Sequence, residues 1–295
     1  MTIKKAGTVA IIGRPNVGKS TLLNALLGEK ISITSRKPQT TRWQILGIKT
    51  SKNTQIVYID TPGLHKEEKS AMNRYLNRIA SATIFDVDVI VFMINALRFS
   101  EEDELVLSKL KETDKPVILA MNKIDLLKEK SKLLSLIDKL KDKFQFAEII
   151  PISALKEDHV ALLEEKIMHY LPEGMPFFPE DQITDKGIHF RIAEIIREKL
   201  IEATEEELPY TTTVQIERME KNKKLIKIDA LIWVERPGQK IIVIGKGGLK
   251  LKKIGMQARR EIEKLLKRKV FLQLWVKVKD RWTDDDKALK SLGYE

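Results

Sequence analysis

Residues Gly13-Arg14-Pro15-Asn16-Val17-Gly18-Lys19-Ser20 fit the pattern G-x-x-x-x-G-K-S. They follow an apolar run and open, through Ser20 and Thr21, a helical pattern. Glycines at these places let backbone N–H groups turn inward around phosphate oxygens, and the helix adds its positive dipole end. Lys19 is then placed to reach β- and γ-phosphates, and Ser20 to ligate Mg²⁺. Asp60-Thr61-Pro62-Gly63 closes a second apolar run. An acid at the carboxyl end of a strand beside a phosphate loop can hold Mg²⁺ through a water. Gly63 can bring its N–H close to a γ-phosphate, and Leu64 follows it directly.

Asn122-Lys123-Ile124-Asp125 closes a third apolar run. A carboxylate such as Asp125 can accept two hydrogen bonds from N1–H and the exocyclic amine of guanine. Adenine lacks that donor pair and would leave the carboxylate unsatisfied. The aliphatic stem of Lys123 can cover the base. Ser153-Ala154-Leu155, after a fourth run, offers a further loop to the base. In order and spacing these pieces resemble the four conserved nucleotide motifs of translation-factor-type GTPases. That resemblance implies bound GTP or GDP with Mg²⁺, and a threonine completing the metal shell. Thr40 and Thr41 are the candidates in the polar stretch 32–42. Thr41 is preferred, because related bacterial GTPases place this threonine directly before an arginine, here Arg42.

GTP hydrolysis needs positioning and charge neutralisation more than covalent chemistry. Ras-like enzymes orient the attacking water with a Gln where this chain has Leu64, which carries no polar group. The resemblance is therefore to GTPases with an apolar residue there. In some of these an Asn of the phosphate loop supports a potassium ion, and Asn16 holds the matching position. Slow hydrolysis with K⁺ stimulation is expected, with Lys19, Thr41, Gly63 and Asn16 as the residues that carry it. His65 beside Leu64 is read as a solvent-exposed loop residue.

A second constellation lies near the C-terminus. Gly245-Lys246-Gly247-Gly248 contains G-x-x-G, preceded by the apolar run ending at Ile244 and followed by a basic amphipathic helix over Leu249–Lys269. Leu251, Ile254, Ile262 and Leu265 form its apolar stripe. Arg236 to Lys279 holds 14 basic residues against only Glu261 and Glu263, a density that points to a polyanion, nucleic acid or an anionic membrane surface.

These motifs require a scaffold of matching order. Strands are predicted at Thr8–Ile12, Trp43–Thr50, Gln55–Ile59, Val87–Ile94, Pro116–Met121 and Ala147–Ile150, with helices between most of them. The alternation argues an α/β fold with a doubly wound, mostly parallel sheet. Pro172, Pro176 and Pro179 interrupt it, so a linker is placed at 173–184, between a first domain at 1–172 and a second at 185–295. The second reads as α+β: helix Arg191–Ala203, strands Thr211–Glu220 and Leu225–Val234, the basic helical region, and strand Val270–Lys279. Trp233 and Trp275 are expected in its core.

The chain has 295 residues, enough for about two domains. The absence of cysteine excludes a disulfide scaffold, a thiol nucleophile and a cysteine zinc site. No apolar run approaches the roughly 18–20 residues that span a membrane, and the chain is read as cytoplasmic.

The second domain resembles a KH domain, whose GxxG loop clamps about four nucleotides of a single strand. Its element order matches the type II arrangement. On that reading Ile244, Gly245, Lys246, Gly247, Gly248, Lys250, Lys253 and Arg259 hold RNA, with Trp282 stacking a base. A GTPase domain followed by a type II KH domain resembles the Era-type GTPase family over essentially the whole chain. Membership implies binding to the single-stranded 3′ end of small-subunit ribosomal RNA and a role in maturing the small ribosomal subunit. It also implies GTP-favoured RNA binding and a peripheral contact with the inner membrane. A monomer is expected. The competing readings are a different RNA-maturation GTPase, a GTPase acting mainly at the membrane surface, and an RNA-binding protein with a vestigial nucleotide fold.

Overall fold

The computed structural model describes residues 4–35, 37, 40–51, 53–63, 70–204, 208, 211–292 and 294. Leu64 and His65 lie outside them. The chain divides into two compact units, Met1–Ser32 with Thr41–Lys69 and Asn73–Asp185, and Ile33–Thr40 with Ser70–Met72 and Lys186–Glu295.

The first unit is built on six strands: β1 (Lys5–Ile12), β2 (Ile45–Ser51), β3 (Thr54–Asp60), β4 (Val89–Asn95), β5 (Val117–Asn122) and β6 (Glu148–Pro151). Their order is β2-β3-β1-β4-β5-β6. Only β2 runs antiparallel to its neighbour, and the others pair in parallel. Helices α1 (Lys19–Leu27), α2 (Ala71–Phe85), α3 (Glu101–Leu110), α4 (Lys130–Lys141) and α5 (Val160–Tyr170) alternate with the strands. β3 and β5 are buried at every position, as expected of strands covered on both faces, which explains their unbroken apolar runs. Parallel pairing sets the carboxyl ends together: Ile11 lies beside Asp60, and Asn95 beside Asn122. The strand order reverses at β1, so the crevice of this fold opens where β1 runs into the glycine loop.

The stretch read as a linker is tied to this unit. Ile48 N–H donates to Ile183 O at 2.9 Å, so the edge strand β2 gains a partner. The buried Gln55 amide accepts from the Phe177 and Phe178 N–H groups (2.7 and 2.9 Å) and donates to Phe178 O at 2.8 Å. The prolines end α5, and the extended chain beyond them covers a sheet edge.

The second unit has three strands, β7 (Thr213–Lys221), β8 (Ile226–Val234) and β9 (Val270–Val278), in that order, with β7/β8 antiparallel and β8/β9 parallel. Helices α6 (Ile188–Ala203), α7 (Pro237–Ile244) and α8 (Leu249–Leu266) pack on one face, and α9 (Asp286–Ser291) ends the unit. The core joins Ile192 and Ile196 of α6, Ala258 and Ile262 of α8, and Ile228 and Ala230 of β8. Described residues of the 33–40 segment are bound to α6. Thr34 N–H donates to Glu198 Oε1 at 3.1 Å, Lys37 Nζ donates to Ile201 O at 2.9 Å, and Arg197 Nη2 donates to Thr40 O. Arg197 is itself buried and held by Glu194 at 2.6 Å.

Three tryptophan expectations are corrected: Trp233, expected in the core, is only half-buried and lies on the sheet face shared with Lys277. Trp282 does not stack a base: it is fully buried, donates from Nε1 to Thr211 O at 3.0 Å, and stacks on Tyr294. Trp275, expected in the core, is 55% exposed. Among the described residues the unit's helices α6, α7 and α8 cover one sheet face, and alternation along β9 turns Trp275 to the other. Trp282→Ala should therefore cost about 3–5 kcal/mol by emptying a packed site. Chemical denaturation followed by circular dichroism checks this, and an unchanged midpoint would contradict the burial.

Candidate nucleotide and nucleic-acid sites

The glycine loop is tight enough to require its glycines. Gly18 has φ +111°, and a Cβ there would sit 2.3 Å from Asn122 Nδ2. At Gly13 (φ +152°) it would sit 2.4 Å from Met93 O. The loop is tied from the base side as well: Asn122 Nδ2 donates to Val17 O at 2.7 Å and its Oδ1 accepts from Ala154 N–H at 2.9 Å. Asn122 thus staples the phosphate loop to the Ser153-Ala154-Leu155 loop. Lys123, at φ +71°, donates from Nζ to Asn16 O at 2.8 Å. Asp125 is exposed and accepts from the buried Ser153 Oγ at 2.6 Å, which fixes one carboxylate oxygen. Ala154 is buried and Leu155 exposed.

Lys19 is buried, with Nζ donating to Gly13 O and Arg14 O at 3.0 and 3.1 Å. Burial lowers its pKa to about 8; the Asp60 charge opposes this and the Arg14 cation adds to it. Arg14 Nε lies 3.1 Å from Asp103 of α3 in a buried ion pair. Its guanidinium therefore holds the loop to α3, and its backbone is what it can offer to phosphate. Asp103 was not anticipated, since a helix N-terminal acid reads as an ordinary cap; it also accepts from the Ser100 N–H and hydroxyl.

Asp60 ends β3 fully buried. Its Oδ2 accepts from Ser20 Oγ at 2.7 Å and Ser32 Oγ at 2.9 Å, and Ser20 Oγ lies 2.8 Å from Thr41 Oγ1. Asp60 Oδ1 is buried with no hydrogen-bond partner among the described residues. Burial raises the Asp60 carboxyl above its usual value, opposed by Lys19 and the two serine hydroxyls. A carboxylate with one unsatisfied oxygen among hydroxyls is a set of hard donors, and it fits a small divalent cation such as Mg²⁺. Thr41 joins this cluster and Thr40 does not: the Thr40 hydroxyl donates to Lys37 O at 2.6 Å. Ser32 is a participant the sequence did not single out, one hydroxyl among many in a polar stretch. Thr61 donates to Ile11 O at 3.1 Å and Pro62 is buried. A Cβ on Gly63 would come 2.8 Å from Pro15 N, so Gly63 packs against the phosphate loop.

In the second unit Gly245, Gly247 and Gly248 have φ of +73°, +58° and +76°, a left-handed run that favours glycine. A Cβ on Gly245 would press on Lys250 Cβ at 2.7 Å, whereas Gly247 and Gly248 face open space within 4 Å. Beside them lies a groove of about 510 Å³. Gly248, Leu251, Lys252, Gly255, Met256 and Arg259 line one side, and Leu272 and Leu274 of β9 the other. Helical period selects this row. It includes Arg259 but leaves Lys250 and Lys253 off the lining and puts Lys252 in their place. Gly255, whose Cβ would meet Leu274 Cδ1 at 3.4 Å, keeps the groove open and was not anticipated. Ile244 is half-buried against the core, and Lys246 is exposed at the loop tip.

Residues 8–123 match the family described as 50S ribosome-binding GTPase, and residues 207–283 match the KH domain. GTPase Era of Haemophilus influenzae is 55% identical over 289 residues, 98% of this chain and 96% of that protein. GTPase Era of Actinobacillus pleuropneumoniae is 54% identical with coverage of 98% and 95%. A crystal structure of Era in complex with MgGDPNP and nucleotides 1506–1542 of 16S ribosomal RNA superposes with a TM-score of 0.96, at 42% identity, covering 99% of both chains. A variant of Aquifex aeolicus Era bound to GDP·AlF4⁻ gives 0.94, at 42% identity, covering 98% of this chain and 99% of that one.

Fold and site together define a P-loop GTPase carrying a C-terminal KH domain. More particularly, the chain belongs to the GTPase Era family.

Asp125→Asn exchanges an acceptor for a donor at the base edge. GTP affinity is expected to fall at least about 100-fold while xanthosine triphosphate gains, as reversed hydrogen-bond matching demands. Equilibrium titration with both nucleotides checks it; unchanged preference for guanine would remove Asp125 from the base site.

Proposed function

We propose that the protein is a slowly hydrolysing GTP switch that binds the single-stranded 3′ region of small-subunit ribosomal RNA and assists maturation of the small ribosomal subunit. The relative crystallised with MgGDPNP and 16S ribosomal RNA supports both ligands. The observation that carries the switch is the position of Thr41. Its hydroxyl meets Ser20 in the Asp60 cluster, while the residue before it, Thr40, is bound to Arg197 of the unit that holds the GxxG groove. One peptide bond therefore joins a group that senses the nucleotide to the RNA-binding unit.

Residues 13–21 cradle the phosphates, with Lys19 releasing the Gly13 and Arg14 carbonyls to meet the β- and γ-oxygens. Ser20, Thr41 and Asp60 hold Mg²⁺, which neutralises phosphate charge in the transition state. Gly63 offers its N–H to the γ-phosphate, and Asn122, Lys123, Asp125 and the Ser153-Ala154-Leu155 loop hold guanine. With Leu64 unable to orient water, Asn16 supports K⁺ in place of an arginine. The working domains are 1–172 and 185–295 with the 173–184 connection. The protein acts as a cytoplasmic monomer with a peripheral contact at the inner membrane; among the described residues no helix is long and apolar enough to cross one.

Gly248→Asp places a carboxylate where phosphates approach. It should lower affinity for the 3′-terminal ribosomal RNA strand at least about tenfold, since it opposes the charge term of binding. Retained affinity would sink the groove assignment. Separately, GTP turnover should be faster in K⁺ than in Na⁺, and Asn16→Ala should erase the difference; equal rates in the unaltered protein would end the potassium proposal.

A further inference from the structure

The β7-β8-β9 sheet has a face that no helix of the core layer covers. Trp275 is 55% and Phe271 49% exposed on β9, two positions of one alternating row. Trp233 on β8 stands opposite Lys277, diagonal to Trp275 on the same face. Trp233 is half-buried and oriented by its Nε1 bond to Gln215 Oε1 at 3.2 Å. Lys277 and Lys279 bring their ammonium groups to 6.0 and 5.9 Å from its ring centroid. The result is an aromatic surface flanked by cations, with Lys277 and Lys279 near Trp233 and Lys227 opposite Phe271.

We propose that this face is a second RNA-binding surface, on which Trp275 and Phe271 stack bases of the strand leaving the GxxG groove. The inference rests on the RNA-binding reading of that groove. Continuity is the first argument. β9 is the edge strand; its Leu272 and Leu274 line the groove, and the alternating Phe271 and Trp275 face the other way. Groove and aromatic face are thus the two sides of one strand. Chemistry is the second argument. Aromatic rings with adjacent lysines suit bases on a phosphate backbone and stack any base. Acids on this face already face bases: Glu217 lies 3.7 Å from Lys277, Asp229 lies 3.9 Å from Lys227, and Glu220 pairs with Arg218. The Glu217–Lys277 and Arg218–Glu220 pairs are exposed, and exposed pairs are weak. A GxxG groove alone takes about four nucleotides, so a longer strand must run on over another surface.

The test uses the full chain with a GTP analogue and two oligomers of the small-subunit 3′ end, of five and twelve nucleotides, in fluorescence anisotropy. Trp275→Ala and Phe271→Ala are each expected to weaken the twelve-mer about tenfold, the scale of one lost base stack. The five-mer should bind as before, and Trp275→Phe should restore most of the loss. Unchanged twelve-mer affinity in both alanine variants overturns the proposal. So does an equal loss on both oligomers, or a self-association seen by sedimentation that Trp275→Ala abolishes, which would make a second copy the occupant. If Gly248→Asp leaves both oligomers bound, the groove reading itself fails, a result separable from all of these.

Discussion

A carboxylate buried at the end of a parallel strand is costly unless something compensates its charge. Among the described residues Asp60 has two hydroxyl donors on one oxygen and none on the other, and the Lys19 cation acts on it. Much of the first unit follows from that imbalance. Parallel pairing of β1 and β3 brings Asp60 beside the glycine loop. The loop turns tightly enough to exclude any side chain at Gly13 and Gly18. Lys19 is buried far enough that its proton is held less firmly than usual. A site so arranged suits a divalent cation, whose charge would dominate the local electrostatics.

The second unit solves a different problem with the same residue. Gly247 and Gly248 adopt left-handed backbone beside open space, so a phosphate chain can come close without meeting a Cβ. Apolar side chains of α8 and β9 line the groove beside them, together with Lys252 and Arg259. Arg197, buried against Glu194 and bound to Thr40 O, gives the segment before Thr41 a fixed place in this unit. Removing one partner of such a pair strands a buried charge, so the contact is selective in a way a surface lysine is not.

Most of the candidate nucleotide site was legible in the sequence because its motifs are contiguous and follow apolar runs, which place them at strand ends. Asn122 and Ser153 could be named from spacing. Ser32 and Asp103 could not, because their roles depend on tertiary approach and nothing local marks them. In the second unit the glycine loop and the apolar stripe of α8 were readable, but the lysines facing the groove were not separable by composition: one position along the helix, from Lys252 to Lys253, rotates the side chain by about 100°. The tryptophans misled for a related reason. Hydrophobicity suggested burial for Trp275 and a basic neighbourhood suggested exposure for Trp282. Trp275 lies on the face away from α6, α7 and α8, and the chain after β9 folds back on itself over Trp282, so each takes the opposite environment.

The most direct measurement is the affinity of the unaltered chain for single-stranded 3′-terminal small-subunit RNA in three states: nucleotide-free, GDP-loaded and loaded with a non-hydrolysable GTP analogue, all with Mg²⁺. The account predicts the tightest binding in the GTP-like state, by at least about tenfold over GDP, a coupling of ordinary size for linked sites. Equal affinity in all three would mean that the Thr41 position carries nothing to the RNA-binding unit.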